Sequence, residues 1–152
     1  MSISFCIIVE LNLYYARWKG LIEPAEVEHN FERYRADAAF KCGRPELIDL
    51  RLVSDLNFDT TFVQTLISRF KAQRVPRGGR TKTVILAGDA LAYGRARQFQ
   101  TLASMRDGID VHVTRNEFEA LHLHQISSDS ISSMLGRYAP DWSPNGCELE
   151  TC

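Results

Sequence analysis

Apolar positions along the chain switch between a two-residue and a helical repeat, and each switch predicts a boundary. The runs Phe5 to Val9 and Leu13 to Trp18 hold aromatic and aliphatic residues suited to strands, with only Glu10, Leu11 and Asn12 between them, which predicts a β-hairpin. Lys19 and Gly20 end the hairpin, and Pro24 stands where a first-turn helical proline loses no hydrogen bond. Val27, Phe31, Tyr34 and Ala38 then recur at helical spacing, predicting a helix to about Ala39 with Glu26, Glu28, Arg33 and Arg35 toward solvent. Gly43 and Pro45 break the chain before Glu46 to Leu52, an apolar stretch of strand length. A loop through Ser54, Asp55 and Asn57 leads to Asp59, the N-cap of a helix carrying Phe62, Val63, Leu66, Ile67 and Phe70.

The segment from Thr81 to His124 repeats this order more clearly. The apolar strands Thr83 to Ala87 and Ile109 to Thr114 flank a helix starting near Ala90, whose buried stripe is Ala92, Ala96, Phe99 and Ala103. That spacing accommodates a right-handed crossover between parallel strands. Asn116 with Glu119 forms a reciprocal helix cap, with Phe118, Leu121 and Gln125 on one helical face. The expected fold is α/β: a small mixed sheet of about five strands, built from an N-terminal hairpin plus parallel βα units, with helices packed mainly on one face. Residues 1–126 form this domain. Residues 127–152 read as a serine-rich, acidic tail in which Ile131, Met134, Leu135 and Tyr138 have the spacing of a short docking helix.

Composition narrows the function classes without choosing one. At 152 residues, 45% hydrophobic and 24% charged, the chain suits a single globular domain. A formal net charge of -1 gives no global attraction to nucleic acid, which is not an expected partner. The start, MSISFCIIVELN, lacks the basic opening of a secretory signal, and no apolar run is long enough to span a membrane. Cys6, Cys42, Cys147 and Cys152 have no zinc-type spacing, so a reduced, cytoplasmic chain without metal or cofactor is expected.

Few residues advertise chemistry. Between Lys71 and Lys82 the chain carries Lys71, Arg74, Arg77, Arg80 and Lys82 with no acidic residue, read either as a phosphate-binding patch or as a solvated loop. Asp89 caps a helix after Gly88, and the amide groups of that turn with Arg95 and Arg97 nearby are the candidate anion site. The same residues also fit a plain turn with outward arginines, because the multi-glycine fingerprint and phosphate lysine of nucleotide sites are absent. Tyr14, Trp18 and Tyr93 are candidate pocket aromatics. His122 and His124 are two apart on a helix and read as surface residues, and His29 and His112 join no cluster. No nucleophile stands beside a base, so nothing in the spacing supports an enzyme.

The order of elements, with ELIDLRLVSDLNFDTTFVQTL, VILAGDALAYGRARQFQTLA and VHVTRNEFEAL, resembles the bacterial STAS-like families close to the anti-sigma-factor antagonists. The resemblance spans roughly Ile3 to Gln125. It implies a non-enzymatic regulatory or protein-interaction domain, and some such folds are shared with lipid-binding CRAL-TRIO domains. It also implies a phosphorylation switch at the residue after a helix-capping Asp, which here matches Thr60 after Asp59, with Thr61 next. This sequence has a longer loop before Asp59 and Thr60-Thr61-Phe62 in place of the usual serine and glycine, so Asp59 also reads as a simple cap. Two functions follow: an interaction domain using residues 54–61 and 88–95, with a homodimer compatible with its apolar faces, or a carrier of a small anionic or lipid ligand at the strand C-terminal edge.

Overall fold

The computed structural model describes residues 2–144. Strands β1 (Ile3–Ile8) and β2 (Leu13–Ile22) pair antiparallel, joined by a single 3-10 turn over Val9–Leu11. Asn12 closes that turn in the left-handed conformation, with φ 49°. The expected hairpin is present, but β2 does not stop at Lys19 and Gly20. It continues to Ile22 because it gains a parallel partner, β3 (Glu46–Leu56), and Gly20 with φ 75° carries it past two register shifts. β3 is correspondingly longer than its apolar stretch, so Ser54 and Asp55 lie in the strand. β4 (Thr81–Ala87) and β5 (Ile109–Thr114) extend the sheet in parallel, giving the order β1-β2-β3-β4-β5.

Because every crossover steps the same way along the sheet, right-handedness puts the connecting helices on one face. These are α1 (Pro24–Ala36), α2 (Thr60–Arg74) and α3 (Ala90–Ala103). Alternation along the strands divides the interior accordingly. Tyr14, Ala16, Ile48, Leu50, Ile85 and Val111 pack against these helices, while Leu13, Tyr15, Leu47, Val84 and Leu86 point to the other face. There the shorter helices α4 (Glu117–Leu123) and α5 (Ile131–Tyr138) supply Ala120, Leu121, Ile131 and Met134.

Local chemistry sets the helix ends. Glu23 and Glu26 form a capping box before α1, and Asp59, Asp89, Asn116 and Ser130 each accept a first-turn amide. Asp37 is extended, so α1 ends at Ala36 and Ala38 is exposed instead of belonging to the stripe. Phe118 also departs from expectation: in the first turn of α4 it is 63% exposed, while Ala120 and Leu121 make the buried contact. Beyond residue 126 the chain folds back over its own second core. Trp142 Nε1 donates to Phe5 O at 3.0 Å, and its ring meets Tyr15 edge-on. No described helix is long and apolar enough to cross a membrane.

Candidate functional site

On the face covered by α1, α2 and α3, strand register places a polar row inside an apolar layer. Tyr14 pairs with Glu46 and Glu46 with Thr83, so these three residues neighbour one another across β2, β3 and β4. Glu46 shares its face with Ile48 and Leu50, and Thr83 shares it with Ile85, by the two-residue strand period. From the helix side, Val63, Ile67, Phe70 and Arg74 follow one another at helical spacing, which brings a guanidinium onto the buried stripe of α2. Arg74 Nη1 donates to Glu46 Oε1 at 2.9 Å, with the two residues 5% and 1% exposed.

Aromatic rings surround this pair. The Arg74 guanidinium lies 4.0 Å from the Phe31 ring centre, 4.8 Å from Tyr34 and 5.3 Å from Tyr14. Such contacts soften the cost of burying a cation. Burial pushes the Glu46 carboxyl above its ordinary value, and Arg74 opposes that rise through charge and hydrogen bonding. Burial pulls the Arg74 guanidinium down, but Glu46 and the two tyrosines outweigh it, so it stays protonated. Tyr14 OH accepts from Asn30 Nδ2 at 2.9 Å, and burial raises its phenol.

A cavity of about 100 Å³ begins beside this pair and runs between sheet and helices. Its walls include Ile48, Leu50, Val63, Leu66, Ile85 and Ala96. Partly exposed Trp18, Phe58, Phe99 and Arg95 line its outer part, so the cavity is polar at its buried end and amphipathic at its mouth. At the mouth Arg95 reaches Phe58 O at 3.5 Å and Asp55 Oδ1 at 3.8 Å. Three buried atoms of lining residues have no hydrogen-bond partner among the described residues: Arg74 Nη2, Thr83 Oγ1 and Trp18 Nε1. Buried polar atoms are normally paired, so donors left this way beside a cavity mark where an acceptor is wanted.

The residues singled out from sequence are dispersed. Gly88 is needed for strand packing: a Cβ there would lie 2.8 Å from Arg51 Cα and O. Asp89 is spent on the α3 cap, accepting Ala92 N at 2.8 Å. Arg95 reaches the cavity mouth, but Arg97, two positions on, turns away to an exposed polar groove with Arg80 and Arg106. Thr60 and Thr61 are exposed in the first turn of α2. Trp18 lines the cavity, Tyr14 lies against Arg74, and Tyr93 is outside the lining.

The basic stretch 71–82 dissolves as a patch. Lys71 Nζ donates to Asp107 O, Lys82 Nζ to Leu123 O, and Arg74 is internal, leaving Arg77 and Arg80 exposed. His124 is half-buried instead of lying free on the surface: its Nε2 donates to Glu46 O at 2.7 Å, and burial lowers its pKa to about 4. Among the described residues no three His, Cys, Asp or Glu side chains gather as metal ligands. Sequence reasoning gave Glu46 and Thr83 no role and counted Arg74 with the basic stretch, although each continues an apolar period, and that continuity was the signal. The chain matches no protein-family model and no curated protein.

Proposed function

We infer that this domain binds a small, mainly apolar molecule in the cavity between the sheet and α1, α2 and α3, acting as a carrier or sensor of that ligand. The observation that carries the reading is the conjunction of an apolar cavity of about 100 Å³ with unpartnered buried donors on Arg74, Thr83 and Trp18. The polar anchor of this reading is at the Glu46 end of the strands, and Arg95 serves the mouth. Ala96, 2% exposed and part of the wall, is the residue through which to test it. Native and denaturing mass spectrometry of protein purified from its own cells should reveal added mass that is lost on denaturation. Ala96→Leu, shown folded by circular dichroism, should lose that mass by filling the space. Retention unchanged in the variant would move the ligand elsewhere, and a bare mass in both proteins would remove the carrier reading.

A second reading keeps the STAS-like regulatory domain of a bacterial cytoplasm. It is supported by the exposed Thr60 and Thr61 beside Asp59 and by Leu91, 51% exposed on the neighbouring first turn of α3. The free thiols of Cys6 and Cys42 fit a reducing compartment. A phosphate on Thr60 would place a dianion on a surface that a protein partner has to cover. Thr60→Asp should then weaken a partner captured by the unmodified domain while leaving thermal stability intact, and equal capture would exclude the switch.

A further inference from the structure

The cavity's polar end already contains a neutralised charge, and that restricts what can bind. Arg74 is the only cation among the lining residues at this end, and its guanidinium is matched by the Glu46 carboxylate at 2.9 Å. Glu46 is itself part of the lining. A ligand carboxylate approaching Arg74 Nη2 would lose its hydration and meet a second carboxylate in the same buried space, with no uncompensated positive charge in return. A carbonyl, amide or hydroxyl oxygen needs no such charge. It can accept from Arg74 Nη2 and from Thr83 Oγ1, atoms otherwise left unpaired. Arg95 does not change the balance, since it lies at the mouth beside Asp55 at 3.8 Å.

The cavity volume, about 100 Å³, falls near that of apolar protein cavities that admit a benzene-sized molecule. We propose that the site selects an uncharged ligand, a short-chain or single-ring molecule bearing a neutral acceptor oxygen that Arg74 and Thr83 hold, and rejects the carboxylate of the same shape. This rests on the cavity being a ligand site. It differs from an anion-binding pocket because the ion pair, formed within the protein, uses the cation's charge and leaves only its hydrogen-bonding capacity.

Hexanamide and hexanoate have equal numbers of non-hydrogen atoms and differ at the head group, so they isolate the charge. The full chain holds two tryptophans, and their indole N–H resonances report from opposite faces: Trp18 from the cavity and Trp142 from its bond to Phe5 O on the other side. Titration followed by nitrogen-proton correlation spectra at pH 7.5 should shift Trp18 with hexanamide and leave Trp142 in place. Hexanoate should bind at least about 100-fold more weakly, as expected for an anion buried without a counter-charge. Glu46→Gln, which removes the competing carboxylate and keeps its shape, should recover hexanoate binding by about tenfold or more.

Equal or tighter binding of hexanoate to the wild-type protein would overturn the selectivity while leaving the cavity reading intact. No Trp18 shift with either compound would overturn the head-group assignment, and together with a bare mass of the purified protein it would overturn the carrier reading as well. The wild-type comparison decides the matter even where Glu46→Gln does not fold.

Discussion

Replacing Arg74 by methionine tests the buried ion pair more directly than any surface change. Methionine retains much of the arginine stem, so packing against Phe31 and Phe70 is largely kept while the charge is removed. The Glu46 carboxylate, 1% exposed, is then left without its partner. Breaking a buried pair in this way costs roughly 3–5 kcal/mol. Glu46 can escape part of that cost by taking up a proton. For a carboxyl whose ordinary value is 4.5, neutralisation at pH 7 costs about 1.36 kcal/mol for each of the intervening pH units, or about 3.4 kcal/mol. The lower figure sets the ceiling, so Arg74→Met should lose about 3 kcal/mol at pH 7.

The sign of the pH dependence follows from the same group. Its folded pKa is raised further in the variant, so protonation favours the fold. Stability is therefore fully present below about pH 4.5 and is lost as pH rises toward the higher folded value. Urea unfolding at pH 5 and pH 7 should show the gap between Arg74→Met and wild type widening with pH. Adding Glu46→Leu should bring the double variant back to within about 1–2 kcal/mol of wild type, because a buried pair can be replaced by apolar residues at little net cost. Additive losses in the double variant, or a gap indifferent to pH, would refute an isolated ion pair between these residues.

Gly88→Ala should lower the melting temperature by an amount equivalent to about 1–3 kcal/mol, because its Cβ would meet the Arg51 backbone at 2.8 Å; an unchanged melting temperature would contradict that close approach. On the second face, burial alone would raise Asp49, but hydrogen bonds from Arg51 and Tyr15 outweigh it and hold the carboxyl below its ordinary 3.8. Its contribution is present above pH 3.8 and is lost as pH falls through the lower folded value, so Asp49→Asn should flatten the acid limb of the stability curve, measured by urea unfolding. Burial pushes the Cys6 thiol up to about 12, and peptide mapping after alkylation of the native chain at pH 8 should find Cys6 unmodified and exposed Cys42 modified.

The succession of strands and helices was legible because the strands keep apolar residues at a two-residue period, as with Ile109, Val111 and Val113 of β5, and because caps such as Asp59, Asp89 and Asn116 are ordinary side chains read from local sequence. The limits of β3 were not, since Ser54 and Asp55 look like loop residues until β2 supplies a partner that no local pattern announces. The cavity was hidden for a related reason. Counting Arg74 among the charges of residues 71–82 assigned it to solvent, whereas its spacing from Val63, Ile67 and Phe70 fixes it on the buried stripe. Glu46 shows the same conflict between residue type and strand period, and only the Arg74 side chain that meets it from α2 resolves it. Arg95 and Arg97 were grouped by a sequence proximity that the helix undoes, since Arg95 lines the cavity and Arg97 faces the separate polar groove.

The return of the chain over β1 has a topological consequence. Ser4 Oγ donates to Pro144 O at 2.8 Å although the two residues stand 140 positions apart, so the described chain nearly closes on itself as a ring. A short peptide joining these two regions would let new ends be opened elsewhere, and the exposed turn at Gly78, which contacts nothing through its missing side chain, is suited to receive them. For the same reason the whole unit can sit within a loop of another protein, entering and leaving through one side of the sheet while its cavity stays on the other.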